Sequence, residues 1–294
     1  MDFKELMTKK RSPVFFVSLL PLAFLIGLLY WAVIVGGIDP HPAVVAAAVL
    51  AALISFALYG TTWGEIEGAV LELAYPATHV ILFFLMAMLM NSLWLRSGIL
   101  PSLVYYGARL FPAAGFLYIA LLIFSGVGFA TGSPWISVGL LGPAFMTMAA
   151  LLGQSQHMTA GIIVAAAFFG GRLSPLALTN YLAASVSRAR LLDHYRHSLS
   201  TALPALLGTL TAIFLFEPLM RTSAPGSSEF MDSLPRLFSL SPFLLLVPIF
   251  MIVLLALRMS ALPVLLLGIL TGSGLLIFYQ GEPAIVLWSV IKSG

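Results

Sequence analysis

The chain has no cysteine and little charge: Asp, Glu, Lys and Arg make up 9% of its 294 residues, against about a quarter in an ordinary soluble domain. The first absence excludes disulfides, thiolate metal sites and a cysteine nucleophile, and says little about compartment. The second excludes a water-soluble globular fold. Also missing are an HEXXH helix, paired aspartates inside the apolar runs and a serine nucleophile with a plausible base, so no enzyme is expected. The net charge of +3 arises from 14 Lys and Arg against 11 Asp and Glu. That imbalance fits the cytoplasmic loops of a membrane protein, and no nucleic-acid partner is expected.

Apolar residues make up 61% of the chain and gather into runs long enough to cross about 30 Å of hydrocarbon. The expected fold is an all-α polytopic membrane protein whose surroundings are the lipid bilayer. It should have roughly eight to ten transmembrane segments, including broken or re-entrant helices. The runs cover about Pro13 to Gly37, His41 to Gly60, Pro76 to Trp94, Ala113 to Ala130, Trp135 to Leu152, Thr159 to Ser187, Ser200 to Phe216, Pro242 to Leu257, and Leu262 to Tyr279. Thr61 to Tyr75 reads as interfacial. So does Pro101 to Pro112, where Tyr105, Tyr106 and Arg109 suggest an aromatic belt with a snorkelling arginine.

Residues 1–294 read as one integral membrane domain, with a polar loop at 221–235 and no visible internal repeat of exact motifs. Lys4, Lys9, Lys10 and Arg11 precede the first run without a signal-like cleavage site, so residues 1–12 are expected to be a cytoplasmic N-terminus. Arg188, Arg190, Arg196 and Arg258 fall on the same side, with Arg96, Arg109, Arg221 and Arg236 facing outward.

Two breaks interrupt the runs. In the first, Ser125 to Ser137, glycines and Pro134 lower the cost of unwinding, and the hydroxyls of Thr131, Ser133 and Ser137 offer oxygen to a small hard cation. A plain helix-helix loop with packing glycines fits that composition equally well. In the second, Phe168 to Ala183, Gly170 and Gly171 end one half-helix and Ser174-Pro175 makes the turn. Thr179 and Asn180 can cap the next half-helix. Arg172 stands in this segment. A permanently charged group inside a membrane-length apolar run marks a functional site, unless it merely snorkels to an interface.

The second break resembles the signature of the NhaC-type Na+/H+ antiporter family, which reads F-G-D-K-M-S-P-L-S-D-T-T-N-L-A. Phe169, Gly170, Ser174, Pro175, Leu176, Thr179, Leu182 and Ala183 keep the pattern, and Arg172 replaces its lysine. The first break is similar to the family's A-T-G-T-S-W-G-T-V-G at Ala130, Thr131, Gly132, Trp135, Val138 and Gly139. Leu192 to His197, Ser97-Gly98, Pro101, Tyr105 to Gly107, Trp63 and Ile66-Glu67 extend the likeness along nearly the whole chain.

The resemblance implies a secondary transporter of the bacterial cytoplasmic (inner) membrane that exchanges Na+ for H+, both as coupling ions with no cofactor. Because hard cations prefer oxygen ligands, sodium is expected at Ser174, Thr179, Asn180 and Thr131. Some relatives exchange malate for lactate, so the alternative is a sodium-coupled exchanger of small carboxylates using Arg172. Family members are usually longer, which implies a truncated product or a second membrane polypeptide that completes the transporter; a homo-oligomer, or a non-transporting subunit, is the further alternative. Gly171 and Leu178 stand where the family has aspartate, which removes its usual proton carriers. Glu72, His79 and Glu217 are the substitutes in reach, with Glu217 expected to be a solvated helix-end cap, His79 a packing histidine and Glu72 water-facing.

Overall fold

The computed structural model describes residues 15–221 and 227–293. The cluster Lys4, Lys9, Lys10 and Arg11 and the side chain of His79 lie outside the described residues. The described residues are helical throughout, without strands, and the chain divides into two compact units, residues 1–79 and 80–294.

In the first unit, α1 (Phe15–Leu29) passes into π-helical turns at Tyr30–Val35 and packs against α2 (His41–Tyr59). The buried positions Ala32, Ala43 and Ala47 are small, which lets helix backbones approach without a bulky core. The interfacial stretch expected at 61–75 and the run after it form one helix, α3 (Trp63–Arg96).

The second unit holds α4 (Ile99–Leu110), α5 (Phe116–Thr131), α6 (Pro134–Leu151), α7 (Gln156–Leu173), α8 (Leu178–Val186), α9 (Leu191–Met220), α10 (Ser227–Leu237), α11 (Leu246–Ala256), α12 (Ala261–Phe278) and α13 (Ile285–Ser293). Phe145 of α6 centres the core. Phe116 and Phe124 of α5 pack on it at 5.7 and 5.1 Å, the latter edge-on. Trp94 of α3 is fully buried and donates its indole N–H to Gly268 O of α12 at 3.0 Å. That bond satisfies the one polar atom of the largest buried side chain.

Of the polar loop expected at 221–235, residues 227–235 are helical, in α10; residues 222–226 lie outside the described residues. Met231, Leu234 and Phe238 recur at helical spacing and pack on the core, with Leu234 buried.

Five described helices are long and apolar enough to cross a membrane, and up to eight spans result if each bent pair counts once. The bent pairs are residues 80–96 with α4 (72°), α7 with α8 (56°), and α10 with the segment Pro242–Ala256 (97°). Phe214 and Phe278 are 72% and 88% exposed, which suits lipid and not water. The chain is a multi-pass membrane protein.

Candidate functional site

The two breaks meet. α5 closes at Thr131, Gly132 adopts a left-handed conformation (φ 70°), and Ser133 is extended before Pro134 starts α6. A side chain at Gly132 would be strained by that φ, and its Cβ would lie 2.7 Å from Leu176 C and 2.9 Å from Ala177 N. The turn of the second break is thus seated on the turn of the first.

Hydrogen bonds hold this seat. Ser174, fully buried, donates its hydroxyl to Phe129 O at 2.6 Å and accepts from Leu176 N at 3.0 Å. Asn180 donates its side-chain amide to Arg172 O and to Ser174 O, each at 2.9 Å. Tyr195 of α9 donates its hydroxyl to Ser174 O at 3.0 Å. Carbonyls freed by ending α7 are therefore paired inside the protein, as irregular backbone at membrane depth requires.

Two expectations are corrected here. Gly170 and Gly171 do not end the half-helix, because α7 continues to Leu173. Gly170 is instead the point where α7 crosses α5, with Ser125 O and Phe129 N so close that no Cβ fits. Nor do Thr179 and Asn180 cap α8. Its N-cap is Ala177, without a side-chain bond, and the Asn180 amide reaches back to the end of α7.

Beside the joined breaks lies an open-sided cleft of about 740 Å³ among α5, α6, α7, α8 and α9. Arg172, Ser133, Thr179 and Asn180 line it. So do Thr201 and the aromatic pair Trp135 and Phe168, which stand edge-to-face at 5.6 Å. Arg172 donates from Nη2 to Thr201 Oγ1 at 3.1 Å. No carboxylate lies within ion-pair distance of Arg172 among the described residues, and those that line the cleft include no Asp, Glu, His or Lys. The hydroxyls of Ser133 and Thr179 make no hydrogen bond among the described residues. A fixed cation and two free hydroxyls thus face a largely apolar space, where the remaining polar side chains, Asn180, Thr201 and Thr209, are hydrogen-bonded within the protein.

The remaining expected residues point elsewhere. Thr131 lines a separate cleft of about 280 Å³ with Pro175, Tyr181 and Arg258. Its hydroxyl donates to Val127 O at 2.8 Å. Ser137 is buried and donates to Ser133 O at 3.2 Å. The four oxygens expected to hold sodium accordingly do not share one cavity: Thr179 and Asn180 line the large cleft, Thr131 the small one, and Ser174 neither. No group of three or more His, Cys, Asp or Glu suited to a metal occurs among the described residues. The roles of Thr201 and Tyr195 depend on α9 returning alongside α7 and are not legible locally; the one signal in the sequence is that Tyr195 falls within the family-like stretch Leu192 to His197.

Glu217 corrects another expectation. It is not a solvated cap: α9 runs past Pro218 to Met220, and Glu217 is 5% exposed. It accepts from Arg221 Nη2 at 2.9 Å and from the buried Gln154 Nε2 at 3.3 Å, while Gln154 also donates to Ala113 O. Glu72 is exposed.

The Na+/H+ antiporter NhaC of Alkalihalophilus pseudofirmus is 30% identical to the chain over 291 residues, covering 97% of this chain and 62% of that protein. The chain is similar to NhaC-type antiporters along nearly its whole length. It is also similar to the arginine/ornithine antiporter ArcD of Halobacterium salinarum, 28% identical over 294 residues (97% and 60% of the two chains). The malate-2H+/Na+-lactate antiporter of Bacillus subtilis is 29% identical over 225 residues (76% and 48%). The chain therefore spans less than two thirds of the length of each of these relatives. No family model and no solved structure matches it. At the two positions where the resemblance calls for aspartate, the chain places Gly171 against Pro134 and a largely exposed Leu178 on the cleft wall.

Proposed function

We propose that the chain is a secondary transporter of the antiporter type in the bacterial cytoplasmic membrane, with its N-terminus in the cytoplasm, and that the cleft at Arg172 takes a carboxylate-bearing solute. The observation that carries this reading is a guanidinium with no carboxylate partner among the described residues, facing a cleft whose described lining holds no acid. Arginine stays protonated and offers several planar donors, only one of which is engaged, by Thr201. A carboxylate completes that arrangement through a bidentate contact. The names of two relatives, a malate/lactate antiporter and an arginine/ornithine antiporter, support a carboxylate cargo. Na+ and H+ serve as coupling ions, with neither a cofactor nor a catalytic step. A homo-oligomer or a second membrane polypeptide is the proposed partner in the bilayer.

A second reading, exchange of Na+ for H+ alone, draws on the NhaC relative. The carboxylate-free lining counts against it, because a site that trades a proton for sodium ordinarily uses a carboxylate of suitable pKa.

The test is a proteoliposome assay with imposed Na+ and H+ gradients, with and without small carboxylates. Gradient-driven carboxylate exchange that Arg172→Ala abolishes is expected. Full exchange by that variant removes Arg172 from the site, and Na+/H+ exchange indifferent to carboxylates favours the second reading.

A further inference from the structure

The cleft is graded along its length. Ala165, Phe168 and Arg172 recur at i, i+3 and i+7 on α7, so they share one face of that helix. Thr201, Ala205 and Thr209 recur every four residues on α9 and line the same cleft. The bond from Arg172 to Thr201 joins the two rows at one end. From that charged end the next level is Phe168, met edge-on by Trp135, with Ala205 one turn along α9, and the following level is Ala165 and Thr209, whose hydroxyl is already given to Ala205 O. Seven residues of helix separate Arg172 from Ala165, about 10 Å along the axis.

We infer that the cargo of this site is a monocarboxylate with an apolar body, its head on Arg172 and its tail against Trp135, Phe168 and Ala205. This deepens the reading of the cleft as a carboxylate transport site and rests on it. One cation matches one carboxylate. A second carboxylate on the same body would lie against Trp135, Phe168, Ala165 and the engaged Thr209, with no second cation among the described lining residues, which is costly for an unpaired charge. An α-ammonium group would find no acid there. A body as short as that of acetate would leave the aromatic wall unused, forgoing the area that supplies most affinity in such pockets.

The experiment compares hexanoate, adipate, hexylammonium and acetate on the full chain in proteoliposomes, by equilibrium binding and by counterflow of labelled solute. Adipate has the same length as hexanoate and differs by its second carboxylate. Hexanoate is expected to bind and exchange best. Arg172→Ala should weaken its binding roughly ten- to a hundredfold, as expected for a charged hydrogen-bonded pair, with Arg172→Lys intermediate. Trp135→Ala should weaken hexanoate roughly tenfold and leave acetate unchanged. Both side chains are largely exposed, so these variants should fold, and unchanged circular dichroism checks it. Adipate or hexylammonium binding as well as hexanoate overturns the inference, as does equal loss of acetate and hexanoate in Trp135→Ala. Oleate placed in the bilayer represents a lipid-derived carboxylate, and protection by oleate without any hexanoate binding overturns assignment to a soluble cargo. Adipate exchanged in an Arg172-dependent way without hexanoate defeats the apolar body and leaves the antiporter standing. If no carboxylate moves under any Na+ or H+ gradient, both readings fall.

Discussion

The Ser174 hydroxyl donates to the Phe129 carbonyl oxygen at 2.6 Å, tying the turn between α7 and α8 to the last turns of α5. This bond, with the one from Leu176 N, uses the hydroxyl for architecture and leaves the cleft to Arg172 and its neighbours. Replacing Ser174 by Ala leaves the half-buried Leu176 N–H without its acceptor and Phe129 O without this donor. A cost of about 1–3 kcal/mol is expected, read as earlier thermal unfolding in detergent. Unchanged stability with lost solute binding would instead make Ser174 a ligand.

Gly170 sets how closely α7 approaches α5. Gly170→Ala should abolish stable folding or sharply lower the yield of folded protein, because the obstacle is the Ser125 and Phe129 backbone and cannot rotate away. Gly161 is on the same helix with nothing within 4 Å of its Cβ position. Gly161→Ala should be neutral or slightly stabilising. Equal tolerance of both substitutions would refute the close crossing.

Gln154, just before α7, bonds Glu217 at the far end of α9 and Ala113 O in the turn before α5. Gln154→Ala should cost about 1–3 kcal/mol through buried groups left unpaired. Gln154→Glu should cost more, since it places a second carboxylate beside Glu217. Thermal unfolding of the two variants decides the order.

A chain without cysteine is suited to single-cysteine labelling. Arg190→Cys, just before α9, should react with an impermeant maleimide from the cytoplasmic side, and Arg236→Cys, near the end of α10, from the outside. The reverse pattern would invert the topology.

The membrane class and the two breaks were legible in the sequence because hydropathy, glycine and proline act locally. A run of apolar residues needs no partner to reveal that it suits lipid, and Pro134 or Ser174-Pro175 punctuates a helix wherever it lies. Arg172 was conspicuous for the same reason: its charge conflicts with its own neighbours along the chain.

Tertiary structure decided what each polar group faces. Ser174, Ser137 and Asn180 resembled ligands, yet Ser174 and Ser137 give their hydroxyls, and Asn180 its amide, to carbonyls brought near by packing. Glu217 resembled a wet helix end and is buried beside Gln154, 63 positions away in sequence. Thr201, Trp135 and Phe168 join Arg172 only because α5, α6, α7 and α9 pack around one space. A hydrogen bond is satisfied by whichever partner lies within about 3 Å, and that distance is set by helix packing, which no local stretch of sequence encodes alone.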